Sequence, residues 1–296
     1  ERVCMSIVVF DIGGSAVKFG LWQEDALTGK GSFGTPKTWN AMKAEMKSVF
    51  DGFAAAGSIE GVAISSPGAV DSDAGIIGGI SAVPYIHHFP IKAEWETMFG
   101  NLVSVENDAN CAALAEVWLG AAKDIQHALF IVIGSGIGGA VILNRQLFKG
   151  KNLFGGEFGY MLLDGGNTLS GLGSPVQVAE RYGKAMGLPD GVADGKYLFE
   201  KAEEGESVAV VYVDGMIDAL ARGIYNLSVS FNPDRVIIGG GISVREGLIA
   251  RIRERTAYDL NAHGAEGIEP DIQVCAFRND ANLIGAVAHF RETIGL

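Results

Sequence analysis

Cysteine is scarce in this chain. Cys4, Cys111 and Cys275 are spread over 296 positions, odd in number and set among apolar neighbours. That spacing argues against a disulfide framework or a thiolate metal cluster, and buried reduced thiols are the expectation. Basic charge is also short, with 23 Lys and Arg against 35 Asp and Glu and a formal net charge of -12. No stretch concentrates the basic side chains, so phosphate backbones would be repelled and a nonspecific nucleic-acid binder is not expected. Long hydrophobic runs are missing too. No segment of about 18 apolar residues is free of charge or glycine, and the N-terminus shows no basic region ahead of a signal-like apolar core. The expectation is a cytoplasmic protein with no membrane partner.

What the chain has in abundance is glycine, 42 residues in clusters, which implies turns with close backbone approach. The length suits two domains of ordinary size. SIVVFDIGG at 6–14 reads as a strand ending in an aspartate and a glycine turn, and AVKFGLW at 16–22 as the next strand. Residues 39–55 carry helical spacing through Met42, Met46, Val49 and Phe53. GVAISSPGAVD is strand then loop, and LVSVENDA repeats that pattern before an alanine-rich helix. ALFIVIGSGIGGAVIL, from about 127, has the same strand, glycine turn, strand layout as DIGGSAVKFGLW, which reads as an internal duplication. A long helix over 206–231, a strand and glycine loop over 234–243, a helix over 246–257, a late strand DIQVCAF and a closing helix from NDANLIGAVAHF complete the second half. Two α/β domains follow, 1–122 and 123–279, with the helix of 280–296 returning to the first.

GSGIGG at 134–139 matches G-x-G-x-x-G, but the β-branched AVILN after it is a strand where a dinucleotide fold needs a helix. A G-x-x-x-x-G-K-S/T loop is absent. The two glycine turns read either as tight hairpins needing positive φ or as cradles whose amides hold phosphate oxygens. Gly239, Gly240 and Gly241 after a third strand favour the cradle, hence a nucleotide. Asp11 at the end of the first strand is then a turn cap or a hard oxygen ligand for Mg²⁺, through water.

Taken in order, these stretches resemble the ROK family of sugar kinases and related repressors, within the hexokinase, actin and Hsp70 superfamily. DIGGSAVKFG resembles its first phosphate motif, SSPGAVD its sugar-side loop, VENDANCAALAE its catalytic motif, GSGIGGAVI its second phosphate motif and GGEFGYML its sugar motif. IIGGGIS and NDANLIGAV resemble its adenosine-side and C-terminal elements. The resemblance implies a two-domain actin-like ATPase fold, ribonuclease H-like, with an active-site cleft between domains. It implies Asp108 as general base, Asn107 and Glu157 as holders of sugar hydroxyls, and Pro67 and Gly68 as the loop beside the ring. Asp11, Gly13, Gly14, Ser15, Lys18, Gly134, Ser135, Gly136, Gly138, Gly240 and Gly241 fall in the ATP-binding motifs, with Asp11 toward Mg²⁺. A carboxylate base suits the chemistry, because a sugar hydroxyl is a poor nucleophile until its proton is accepted.

Family members commonly carry histidine where this chain has Tyr160, followed by a cysteine-rich zinc-binding run; here MLLDGGNTLSGLGSPVQVAERYG holds no cysteine, so no zinc is expected. Tyr160 either packs in place of the metal or remodels the sugar pocket, as in bacterial β-glucoside kinases, which GEFGYML and VSVENDANC resemble. The Tyr85, His87, His88 and Phe89 loop either faces a pyranose ring or is plain surface. Asp108 also fits a helix N-cap, Glu106 reads as solvated and Glu116 as a helix-face residue. The expected activity is ATP-dependent phosphorylation of a primary hydroxyl, the 6-hydroxyl of glucose or a β-glucoside. N-acetylmannosamine or fructose as acceptor and a non-catalytic sugar sensor are the alternatives. Repressors of the family carry an N-terminal DNA-binding domain, and a first strand opening near Ile7 favours an enzyme. A homodimer is implied by the resemblance.

Overall fold

The computed structural model describes residues 5–296, so Cys4 lies outside the described residues. Along the chain run β1 (Ile7–Ile12), β2 (Ala16–Gln23), β3 (Ala26–Gly34), α1 (Trp39–Ala54), β4 (Gly61–Ser66), β5 (Ala69–Asp71), β6 (Ile76–Gly78), α2 (Ile91–Phe99), β7 (Leu102–Asn107) and α3 (Asp108–Trp118). There follow β8 (Ala128–Ile133), β9 (Ile137–Leu143), β10 (Gln146–Leu147), α4 (Leu169–Gly173), α5 (Pro175–Ala185), α6 (Gly195–Glu203), α7 (Ser207–Phe231), β11 (Arg235–Gly239), α8 (Leu248–Ala262), β12 (Asp271–Val274) and α9 (Ala281–Thr293). The chain divides into two units. One holds the chain to Gly120, with Gly150–Phe154 and Asn279–Leu296; the other holds Ala121–Lys149 and Gly155–Arg278.

In the first unit the strand order is β3-β2-β1-β4-β7, with β1, β4 and β7 parallel. Period-2 alternation gives the sheet two different faces. Val8, Phe10, Ile12, Val62, Ile64, Val103 and Val105 pack against Met42, Met46 and Phe50 of α1 and Trp95 of α2. The i, i+4, i+8 spacing of the three α1 residues makes its buried stripe, and Thr38 opens that helix by accepting from the Ala41 amide at 3.3 Å. The other face carries small residues where α9 crosses. A side chain on Gly61 would meet the Phe290 ring at 2.1 Å, so only glycine admits the helix there.

The second unit repeats the order as β10-β9-β8-β11-β12, with β8, β11 and β12 parallel. Its long helix α7 buries Val213, Met216, Ile217, Leu220, Ile224 and Leu227 at helical spacing and ends on Asn232 in the left-handed region. The repetition reaches the turns. Glu24–Asp25 joins β2 to β3 and Asn144–Arg145 joins β9 to β10, all four residues with φ between 52° and 64°, the backbone of a type I′ hairpin. β3 has no counterpart in the sequence reading, because an exposed edge strand with three internal or terminal glycines shows little apolar alternation. Cys111 and Cys275 are buried. Among the described residues no helix is long and apolar enough to cross a membrane.

Candidate active site

Asp11 of β1, Ser65 of β4 and Glu106 of β7 are register partners across three neighbouring parallel strands. They lie side by side at the carboxyl ends of those strands, where open α/β sheets place their ligands. Asp11 is buried, and its Oδ1 accepts from Ser65 Oγ at 2.8 Å and from Asn282 Nδ2, at the start of α9, at 3.0 Å. Its Oδ2 lies 3.9 Å from Lys18 Nζ, which in turn stands 3.4 Å from the Asn279 carbonyl. Two donors on one carboxylate oxygen fix the plane of the group.

One residue past Glu106 the chain turns into α3. The N-cap is Asn107, not Asp108: Asn107 Oδ1 accepts from the amides of Ala109 at 3.0 Å and Asn110 at 3.2 Å. Its Nδ2 donates to the Gly68 carbonyl at 3.0 Å. The amide oxygen has two lone pairs and both are engaged, so Asn107 keeps one N–H for a ligand and no acceptor. Asp108 is the first helical residue, half-buried, with Oδ1 accepting from the Ala109 amide at 2.9 Å. Gly68 sits at φ 104°, and a side chain there would meet His87 at 2.9 Å, so glycine is required for the Pro67–Gly68 loop to reach Asn107.

Two sequence readings are corrected around α3. Glu106 is not solvated: it is 1% exposed, with three donors on its carboxylate. Glu116 is fully buried rather than displayed on a helix face. Beneath the helix start, burial first, then the carboxylates of Glu106, Asp11 and Asp108, push the Cys111 thiol well above its usual range, so it stays protonated and inert. The Tyr85 to Phe89 loop is engaged with the protein. Tyr85 donates to the Pro36 carbonyl, His87 lies between Ser81 Oγ at 2.7 Å and the Gly78 carbonyl at 3.1 Å, and Phe89 meets the Trp39 ring edge-on at 5.5 Å.

The glycine turns close by Gly13 N donating to Ala16 O at 3.0 Å and Gly134 N to Gly136 O at 2.9 Å. None of Gly13, Gly14, Gly134, Gly136 and Gly138 has positive φ, so conformational freedom is not why they are glycine. A Cβ on Gly13 or Gly14 would strike Ala16 O or Ala82 Cβ, and one on Gly138 would crowd Val132, whereas Gly134 and Gly241 have nothing within 4 Å. Gly14, Ser15, Gly134 and Ser135 are exposed. Gly240 differs: φ is 94°, and a Cβ would lie 2.1 Å from Ile133 O, so the loop after β11 rests directly on the end of β8. Ser174, at the head of α5, holds the second turn from below, its Oγ within 2.8 Å of Gly134 O and 3.0 Å of Ser135 O.

In the second unit Glu157 stands between two glycines that lie flat on β9. Side chains on Gly156 and Gly159 would meet Gly139 O at 2.6 Å and Ile137 O at 2.1 Å. Desolvation raises the Glu157 carboxyl above its ordinary value even though the residue keeps much of its surface in water. Tyr160, three residues on, is 66% exposed. Sequence reasoning missed Ser65, Asn282, Glu106 and Ser174. Only Ser174 left a local signal, a serine before the proline that starts a helix.

Asp11 offers hard oxygen, with two neutral donors on Oδ1 and the Lys18 ammonium 3.9 Å from Oδ2, and that oxygen chemistry fits Mg²⁺ held through water. Among the described residues no group of three or more His, Cys, Asp or Glu is arranged to hold a metal.

The ROK family model matches residues 7–293. A β-glucoside kinase of Klebsiella pneumoniae is 35% identical over 298 residues, covering 97% of this chain and 97% of its own. A ROK family protein of Streptococcus pneumoniae, solved in complex with sucrose, matches with a TM-score of 0.89 and 32% identity, over 98% of this chain and 99% of that one. A ROK family glucokinase of Streptomyces griseus, in complex with glucose and AMPPNP, matches with a TM-score of 0.73 and 25% identity, over 95% and 97%. The α/β fold is therefore of the actin and hexokinase type, and the chain belongs to the ROK family.

Proposed function

We propose that this chain transfers the γ-phosphoryl group of Mg-ATP to the 6-hydroxyl of glucose or a β-glucoside, with Asp108 as the general base. ATP-dependent phosphorylation of a sugar hydroxyl is the activity of the chain as a member of this family, in keeping with the β-glucoside kinase and glucokinase relatives. The observation that carries the residue assignment is the placement of Asp11 at the carboxyl end of β1 and of Asp108 just past the carboxyl end of β7, parallel strands of one sheet with β4 between them, each braced by named donors.

In this reading Asp108 accepts the hydroxyl proton as the oxygen attacks phosphorus, and the half-buried helix start keeps the carboxylate aimed. General-base help of this kind gives about 10²- to 10⁴-fold. Asn107 donates its remaining N–H to a ring hydroxyl, while Pro67 and Gly68 border the ring. Glu157 accepts from sugar hydroxyls, and its desolvated carboxyl gains when a hydroxyl donates to it. Asp11 would hold Mg²⁺ through water, and the ion, when bound, supplies charge neutralisation on the phosphates. The open space at Gly134 and Gly241 supports a nucleotide site, because nothing in the protein itself demands glycine there. Exposed Tyr160 supports an acceptor pocket that extends past one ring.

The test is an ADP-release assay with Mg-ATP against glucose, N-acetylmannosamine, N-acetylglucosamine, fructose, mannose, cellobiose and an aryl β-glucoside, with the phosphorylated position read by NMR. Transfer to position 6 of glucose or a β-glucoside is expected. A preference for N-acetylmannosamine or fructose would overturn the acceptor, and sugar binding without transfer would favour a sensor. The homodimer implied by the resemblance is tested by light scattering.

A further inference from the structure

A buried carboxylate is expensive unless its oxygens are satisfied. Glu106, 1% exposed, accepts from three donors on two pieces of chain, the start of α3 and the β5–β6 turn. Oε1 takes the Asn107 amide at 2.7 Å and Asn110 Nδ2 at 2.9 Å. Oε2 takes Ser72 Oγ at 2.8 Å, from the turn between β5 and β6. Those pieces are the ones that carry the proposed sugar groups. Asn107 and Asn110 bracket Asp108 in the first turn of α3, and the β5–β6 hairpin continues directly from Pro67 and Gly68. The Asn107 bond to Gly68 O is a second tie between the same two elements.

We propose that Glu106 is the positioning residue of the transfer site, setting the distance between the Asp108 base and the Pro67–Gly68 loop by clamping the start of α3 to the β5–β6 turn. The inference rests on the reading of Asp108 as the base. Glu106 touches no reacting atom in this scheme. Its effect travels through the geometry of Asp108, where a misplacement of about 1 Å lowers turnover by about 10²-fold.

Acceptance by geometry rather than by charge makes the conservative variant informative. Glutamine keeps an oxygen for Asn107 N and Asn110 Nδ2, and its Nε2 donates to Ser72 Oγ, which turns to accept. Glu106→Ala leaves all three donors without that acceptor. Full-length wild type, Glu106→Ala, Glu106→Gln and Ser72→Ala are compared for kcat, for KM of the accepted sugar and of Mg-ATP, and for Tm. Glu106→Ala is expected to lose about 30-fold or more in kcat with KM for Mg-ATP within about threefold, Ser72→Ala to lose about three- to tenfold, and Glu106→Gln to restore most of kcat. A lower Tm with kcat unchanged in Glu106→Ala assigns the residue to folding alone and overturns the proposal. So does a loss in Glu106→Gln as large as in Glu106→Ala. Should Glu106→Ala not fold, Ser72→Ala decides, and its unchanged kcat overturns the clamp. Wild type that transfers to no sugar overturns the activity reading as well, which separates that failure from failure of the clamp in an active enzyme.

Discussion

Adding one methyl group at Gly285 tests the packing that holds Asp108, the proposed base, in place. Gly285 lies inside α9, where that helix crosses α3, and a Cβ there would sit 1.6 Å from Cys111 O, 2.2 Å from Cys111 C and 2.8 Å from Cys111 Cα. A carbon and a carbonyl oxygen settle at about 3.3 Å or more, so the helices must part by roughly 1.5 Å. The obstacle is backbone, so no rotamer change relieves it. Overpacking of this kind costs about 3 kcal/mol, and alanine returns about 1 kcal/mol of helix propensity, leaving about 2 kcal/mol. At about 2–4 °C per kcal/mol, Tm of Gly285→Ala falls by about 4–8 °C. Cys111 is one turn from Asp108, so kcat is expected to fall by about tenfold or more in the folded fraction. Differential scanning calorimetry and steady-state kinetics read both. Gly215→Ala is the control: Gly215 is also inside a helix, α7, but a Cβ there meets nothing within 4 Å, and a small rise in Tm is expected. If Gly285→Ala behaves like Gly215→Ala, with Tm raised and kcat intact, the close crossing of α3 and α9 is wrong and so is the reason given for the geometry of Asp108.

The glycine loops divide in the same way. Gly134→Ala, with open space and no positive φ, is expected to leave Tm within about 2 °C but to raise KM for Mg-ATP about tenfold or more, whereas Gly240→Ala, with φ 94° and Ile133 O at 2.1 Å, is expected to lower Tm first. Reversal of that pattern in thermal melts and nucleotide titrations would refute the cradle. Glu157 tests its raised pKa. Ionising it costs stability in the folded protein, and that cost is absent below the ordinary value of 4.5 and complete only above the higher folded value. Glu157→Gln is therefore expected to melt above wild type near neutral pH, with the gap closing as pH falls below 4.5, and to lose sugar affinity; a gap that widens in acid would contradict the assignment.

Much of this was legible because it is local. Apolar runs that stop at Asp11 and at Glu106–Asn107–Asp108 mark strand ends, and the Met42, Met46, Val49, Phe53 spacing marks a helix, although Phe50 is buried with the two methionines in place of Val49 and Phe53. Register is not local. That Asp11, Ser65 and Glu106 stand abreast depends on three strands separated by dozens of residues, and no pattern within any one of them announces it. Glu106 illustrates the limit: a glutamate beside two polar residues reads as solvated, and only the returning helix α9 and the β5–β6 turn make it interior. Asn282 was hidden for the same reason, since its cap-like neighbours gave no sign that its amide reaches Asp11. The glycines taught a different lesson. Clusters suggested positive φ in the two glycine turns, yet Gly13, Gly14, Gly134, Gly136 and Gly138 have none and answer to close approach or to open space, while the left-handed positions of the neighbouring hairpins are Glu24, Asp25, Asn144 and Arg145.

The most direct test of the central claim is the turnover of Asp108→Asn beside wild type, with sugar affinity measured in the same preparations. The substitution keeps size and the contact to the Ala109 amide but removes the base. Turnover is expected to fall by about 10²-fold or more while sugar affinity stays within about tenfold. Unchanged turnover in a folded Asp108→Asn protein would contradict the assignment of Asp108 as the group that accepts the proton.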